Sequence, residues 1–253
     1  MRIDLNADVG ESFGHYILGD DQALFKVITS ANIACGFHAG DFTVMNKTVK
    51  AAKDNHLSVG AHPGFPDIQG FGRRNISMSE TEVYEMVVYQ IGALQAFCHI
   101  HHVALTHVKP HGALYNIAAD DATIASAIAQ AVFDIAPNAI LFGLCNSQLL
   151  VAGNNIGLKT AGEAFADRKY DDTGRLVHRS HPNAVLTHFE DIEKQVENIV
   201  MKKQVETSSG KMIEIKADTL CFHGDGKNVV EIVRKTRKIL EAKNVKVAPL
   251  EMV

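Results

Sequence analysis

Short apolar strands recur along this chain, each followed by a polar loop and then a helical pattern, and this rhythm restricts the fold more than any other feature. Strand candidates lie at residues 3–9, 30–34, 57–61, 104–108, 139–144, 158–163 and 219–222. Helical periodicity fills most of the gaps, at 44–55, 80–101, 122–135, 147–154, 191–203 and 228–242. The clearest helix opens with Ser79 and Glu82, the spacing of a capping box. The stretch 204–215 breaks the pattern, and Ser209-Gly210 suits the turn of a small hairpin. Regular alternation of strand and helix predicts a parallel sheet. The 253 residues suit either one large barrel or two small domains. No linker or low-complexity stretch divides them, so we expect one domain over 1–253.

Seven units can close as a barrel or stay open. An open sheet gathers ligand residues at one switch point, whereas a barrel draws them from the C-terminal ends of many strands. Here nearly every strand candidate ends in polar residues, which favours an α/β fold with a closed barrel of about seven strands.

Strand residues two apart share a face. The first strand thus puts Asp4, Asn6 and Asp8 on one face and Ile3, Leu5, Ala7 and Val9 on the other. Asn32 and His38 flank the end of the second strand, and the third ends at His62. The fourth aligns His107, Lys109 and His111, the sixth ends at Glu163, and the seventh aligns His223 and Asp225. Ionisable groups are rarely buried without partners, so packing alone does not select this arrangement. Taken singly, each has an ordinary reading: a histidine held by hydrogen bonds, Asp4 and Asn6 satisfying backbone groups inside the barrel, GFHAGD and HGDGK as tight turns. HGDGK also leads into a helix N-terminus, where an anion can sit. Arg73 and Arg74 suit either a clamp on a phosphate or carboxylate, or a solvated loop pair. Asp8, His38 and His62 form an Asp/His/His set able to hold a divalent metal with open positions, or to hydrogen-bond substrate directly. His111, Glu163 and Asp225 are candidate general acid/base groups, and Lys109 a candidate to stabilise an oxyanion or phosphate. The inventory suits hydrolysis of an amide-like bond. Neither a GxSxG nucleophile motif nor a Walker A loop is present.

Composition narrows the partners. A formal charge of −4 gives no reason to expect nucleic acid or an acidic membrane surface. No apolar run reaches the roughly 18 residues of a spanning helix. MRIDLNADVG lacks the apolar segment of a signal peptide. The four cysteines, Cys35, Cys98, Cys145 and Cys221, follow no metal or disulfide spacing, which points to a reducing cytoplasm.

Several of these segments, in this order, resemble the LamB/YcsF family: LNADVGE, NIACGFHAGD, GAHPGFPD, GFGRR, VKPHGALYN, EAFADRKY and HGD. The resemblance runs from the first strand to the last helix. It implies a distorted, TIM-like (β/α)7 barrel similar to the glycoside hydrolase/deacetylase superfamily. It also implies the activity of a 5-oxoprolinase A subunit: opening of the 5-oxoproline lactam to L-glutamate, with ATP as co-substrate, together with Mg, hydrolysed to ADP and phosphate. Subunits B and C are the implied partners, and the substrate is a small molecule. On that reading Asp8, His62, Lys109, His111 and Glu163 are the catalytic candidates, with Glu163 placed to protonate the ring nitrogen. Asn6, Asn32, His38, Arg73, Arg74, Tyr115, Arg168, His223 and Asp225 are candidates to bind substrate or phosphate. Two other readings stand beside it. One is a metal-dependent amide or carbohydrate deacetylase that needs no ATP; the other is a non-catalytic component that delivers a small acid to its partners.

Overall fold

The computed structural model describes residues 1–222 and 228–251. The elements run β1 (Arg2–Val9), α1 (Asp21–Leu24), β2 (Ser30–Ala34), α2 (Phe42–Asp54), β3 (Ser58–His62), α3 (Glu80–Ile100), β4 (Leu105–Val108) and α4 (Gly112–Asp120). They continue with α5 (Ala122–Ile135), β5 (Ile140–Leu144), α6 (Gln148–Asn155), β6 (Thr160–Phe165) and α7 (Phe189–Glu197). Last come β7 (Gln204–Glu206), β8 (Met212–Glu214), β9 (Thr219–Phe222), α8 (Val229–Ala242) and β10 (Lys246–Val247). Strands β1 to β6 and β9 are all parallel and close into a ring, because β9 pairs with both β6 and β1. β1 shows how closure is achieved. Its residues 6–9 pair with β2, while residues 4–7 pair with β9. That offset is the stagger a tilted, closed sheet requires. β10 lies outside the ring, parallel to the start of β1.

The alternation read from β1 sorts its side chains as expected. Ile3, Leu5, Ala7 and Val9 belong to the main apolar core with the helices, and Asp4, Asn6 and Asp8 turn into the barrel. Burying apolar area stabilises by roughly 25 cal/mol per Å², so this outer layer, not the polar interior, drives closure. α3 packs along α5, and α5 along α6. Ser79 and Glu82 form the expected capping box on α3. A second, small apolar cluster of Ile140, Phe142 and Ala161, with Leu250 packed on it, lies apart from the main core.

Three details differ from the sequence pattern. β3 and β6 extend to His62 and Phe165, so Glu163 sits within its strand instead of at its end. α4 follows β4 directly, although its small, weakly patterned sequence GALYNIAAD gave no helix signal. The periodicity of 191–203 covers two elements, α7 and a π-helical turn at Asn198–Lys202. The hairpin β7–β8 is present, antiparallel and outside the barrel. Residues 166–188, mostly without regular structure, fold back on themselves through isolated bridges between Arg168 and Val185 and between Tyr170 and Leu176. Among the described residues no helix is long and apolar enough to cross a membrane.

Gly60 shows how tightly the interior is filled. A Cβ added there would overlap the His107 ring. Overpacking of this kind costs about 1–3 kcal/mol or more. Gly60→Ala is therefore expected to lower the thermal midpoint by several degrees and to displace His107. Calorimetry and the His107 ring resonances in NMR check this.

Candidate active site at the barrel mouth

The barrel interior is a column of polar layers, each held by side chains from several strands. At the base, Asp4 accepts hydrogen bonds from the hydroxyls of Thr29, Ser30 and Thr219 at 2.5–2.6 Å. Burial raises the Asp4 pKa, against the hydroxyls that stabilise its charge. One layer up, Asn6 Nδ2 donates to Glu163 Oε1 (2.9 Å) and to Thr219 Oγ1 (2.7 Å). Asn6 Oδ1 accepts from Asn32 Nδ2 at 2.7 Å, and Asn32 Oδ1 meets His107 Nε2 at 2.8 Å. His107 stacks on Phe142, and burial followed by the Lys109 charge depresses its pKa to about 3. It is a neutral, structural imidazole.

Above these layers stands Lys109. Its side chain is 2% exposed, and Nζ lies 2.9 Å from Asp8 Oδ1, 3.0 Å from Glu163 Oε1 and 3.0 Å from Cys221 Sγ. Burial alone would drive its pKa down; the Asp8 and Glu163 carboxylates outweigh burial and hold it well above the ordinary lysine range. Lys109 is thus a fixed internal cation. Burial keeps the neighbouring Cys221 thiol protonated in spite of that charge.

The top layer is a group of imidazoles with one carboxylate. The ligating atoms of Glu11, His38, His62 and His111, all buried, lie within 4.8 Å of one another. His38 and His111 stack with centroids 3.7 Å apart, and His62 stands edge-on to both. Burial, and then the other imidazoles, push the pKa values of His38 and His111 well below the usual histidine range. Gly72 makes room for the stack: it adopts φ +62°, and a Cβ there would stand 2.6 Å from His38 Cβ and 2.9 Å from His111 Cδ2.

A cavity of about 260 Å³ opens above Asp8, His62, Lys109 and His111. Arg73, Arg168, Arg175 and Arg179 line it, together with Tyr115 and Phe165. The fold-back segment forms one wall. Arg168 Nη2 donates to the Val177 carbonyl at 2.6 Å, and Arg175 Nε to Asp120 at 2.6 Å, which ties that wall to α4. Burial, then the nearby Arg179, lowers the Arg168 pKa to about 10, so it keeps its charge at neutral pH.

The expected residues thus divide into groups. Asp8, His62, Arg73, Lys109, His111, Tyr115 and Arg168 reach the cavity. Asn6, Asn32 and Glu163 lie beneath it and hold Lys109 and Asp8 in place. Glu163 does not line the cavity; its carboxylate lies against the buried Tyr115 hydroxyl. Arg74 turns away to pair with Asp67, so only Arg73 of the pair faces the mouth. His223, Asp225 and the HGDGK loop lie outside the described residues. Of the set Asp8, His38 and His62, the two histidines converge with Glu11 and His111, while Asp8 stands beside them, its Oδ2 3.4 Å from His62 Nε2 and its Oδ1 2.9 Å from Lys109 Nζ. Glu11 lies two residues past the end of β1, where alternation no longer assigns a face. Gly10, at φ +68°, turns the chain there, and Glu11 is buried against the imidazoles. Thr219 and Cys221 were also missed as partners, because an uncharged side chain in a short strand gives no signal by itself.

A closed parallel barrel with its ionisable groups gathered at the C-terminal ends of the strands is an enzyme-type α/β barrel. The chain belongs to the LamB/YcsF family, whose model matches residues 3–253. It is 52% identical over 250 residues to the A subunit of 5-oxoprolinase from Staphylococcus aureus strain MRSA252, an alignment covering 99% of this chain and 100% of the relative. The crystal structure of the lactam utilization protein from Thermus thermophilus superposes with a TM-score of 0.92 at 42% identity, covering 99% of this chain and all of that one. The catalytic domain of a peptidoglycan N-acetylglucosamine deacetylase from Eubacterium rectale shares the fold alone, with a TM-score of 0.52 at 11% identity over 98% of this chain and 88% of that one.

Two stability effects follow from the buried charges. Lys109→Met leaves Asp8 and Glu163 without their cation, and breaking a buried pair in this way costs about 3–5 kcal/mol. Denaturant unfolding should show a lower midpoint with an unchanged slope. His107 has a folded pKa of about 3, against an unfolded value of about 6.5. As pH falls below 6.5 the unfolded chain takes up a proton that the folded chain refuses, so stability declines from there toward pH 3. His107→Gln should flatten that decline relative to wild type, as measured by unfolding at pH 7.5 and pH 5.

Proposed function

We propose that this chain is the A subunit of an ATP-dependent 5-oxoprolinase and carries the site that handles the lactam. The observation that carries the reading is the fixed Lys109 cation, held by Asp8 and Glu163 beneath a small cavity walled by arginines, in a chain 52% identical to a 5-oxoprolinase A subunit. The cavity volume, about 260 Å³, lies just below the roughly 300–1,000 Å³ typical of drug-sized ligands, which suits a small acid. Guanidinium groups match carboxylate and phosphate geometry, so the arginine wall favours an anionic substrate or a phosphorylated intermediate.

The chemistry explains why ATP is needed. A five-membered lactam keeps its amide resonance, and water attacks it poorly. Transfer of the ATP γ-phosphoryl group to the amide oxygen releases ADP and leaves an activated ring carbon. Water adds to that carbon, the C–N bond breaks as nitrogen takes a proton, and a second water hydrolyses the resulting acyl phosphate to glutamate and phosphate. In this reading Lys109 and Arg73 neutralise charge on the phosphoryl oxygens. Asp8, between Lys109 and His62, takes the proton that water loses and returns it to the departing nitrogen. In this reading Glu163 acts through Lys109, since it pairs with that ammonium beneath the cavity and does not reach its wall. ATP enters with Mg²⁺, subunits B and C complete the complex, and the four buried free thiols suit a cytoplasmic location.

Glutamate release from 5-oxoproline, assayed with and without ATP and with and without subunits B and C, tests this directly. Release only with ATP and partners together supports the reading; no release in any combination of folded proteins overturns it. Asp8→Asn should lower the ATP-dependent rate by about 10²–10⁴-fold, the contribution of a general base. Full activity in that variant would instead make the chain a carrier that delivers substrate to its partners.

A further inference from the structure

We propose that Glu11, His38, His62 and His111 form a binding site for one first-row transition-metal ion of the zinc type, at the edge of the cavity. The hydrogen bonds around two of the imidazoles carry the argument. His62 Nδ1 lies 2.7 Å from the Lys109 carbonyl oxygen, and His111 Nε2 lies 2.8 Å from the Phe71 carbonyl oxygen. A carbonyl only accepts, so both of these outer nitrogens carry N–H. The inner nitrogens, His62 Nε2 and His111 Nδ1, are the ones left to bind a cation; they face each other at 2.9 Å, with Asp8 Oδ2 3.4 Å from His62 Nε2. Two lone pairs at that distance repel unless a proton or a metal ion stands between or beside them, and the buried Glu11 carboxylate next to them adds a further metal donor. Donation of the far N–H to a backbone carbonyl is also how proteins orient metal-ligating histidines.

The other two members complete the donor set. His38 is fully buried, its Nδ1 has no hydrogen-bond partner, and its Nε2 lies 3.4 Å from Glu11 Oε1. His111 Nδ1 lies 3.9 Å from the same oxygen. Ligands held at about 2.0–2.2 Å from one ion stand roughly 3–4 Å apart; three separations here, 2.9, 3.4 and 3.9 Å, lie close to that range, and the whole set lies within 4.8 Å, so a bound ion draws the outermost ligands inward. His62 and His111 line the cavity and Glu11 and His38 do not, so the group presents one side to a bound molecule. Three imidazoles and one carboxylate suit Zn²⁺ or Co²⁺, whereas Mg²⁺ prefers oxygen ligands. The ion is therefore separate from the Mg²⁺ that accompanies ATP. When bound, it supplies Lewis acidity toward a carbonyl oxygen in the cavity. The proposal rests on ligand geometry and stands whether or not the chain acts on 5-oxoproline.

The test uses the full chain, without tag or partners, stripped with chelator and reloaded with Zn²⁺ or Co²⁺. Elemental analysis after desalting should give one equivalent per chain, and Co²⁺ should produce visible d–d absorption. Glu11→Gln and the double variant His38→Ala/His111→Ala should weaken Zn²⁺ binding in calorimetry by more than the roughly 10–100-fold that loss of an outer partner costs. His101→Ala/His102→Ala, at the far end of α3, should bind as wild type does and so controls for surface histidines. Should the double variant fail to fold, the Co²⁺ spectrum of wild type and the isosteric Glu11→Gln variant decide. Folded wild type that retains no stoichiometric metal and gives no d–d band overturns the proposal, as does unchanged binding in Glu11→Gln and in a folded double variant.

Discussion

A single buried ammonium group organises the interior of this barrel. Lys109 arises just beyond the end of β4, yet its Nζ touches side chains from β1, β6 and β9. Two carboxylates inside a protein repel each other and lose their hydration. With Lys109 between them, Asp8 and Glu163 can both be accommodated. Asn6 and Asn32 then fall into place, because each bridges groups that Lys109 has already positioned.

The division of labour between the two faces of β1 follows from this. Its outward residues supply the apolar burial that holds the helices, and its inward residues bring none. A polar interior is tolerated because nearly every donor and acceptor in the column finds a partner. The exception lies near the mouth. His38 Nδ1 is buried without a hydrogen bond among the described residues, and the Tyr115 hydroxyl and Glu163 carboxylate are buried against each other. Unsatisfied buried groups are costly, and their position beneath or beside the cavity is where a bound molecule or ion changes the balance.

The arginine wall depends on the segment after β6. Arg168 and Arg175 are held by carbonyl oxygens and by Asp120, so the wall is tied to α4, and α4 in turn begins at His111. Substrate wall and imidazole group are thus joined through one short helix.

Much of the site was legible in the residue order. Period-two alternation placed Asp4, Asn6 and Asp8 on one face, and the polar ends of the strands marked the mouth, because both depend only on local backbone geometry. The motifs likewise carried the family. What alternation cannot supply is any contact made after a strand has ended. Glu11 joins the histidines because Gly10 turns the chain, Arg74 leaves the mouth because Asp67 lies within its reach, and Glu163 serves Lys109 because β6 runs on past it. Sequence by itself therefore determined the parallel barrel and the inventory at its mouth. Only the tertiary structure decided which of those groups meet, since closing the ring brings β1, β4, β6 and β9 within hydrogen-bonding distance across an interior that no local pattern describes.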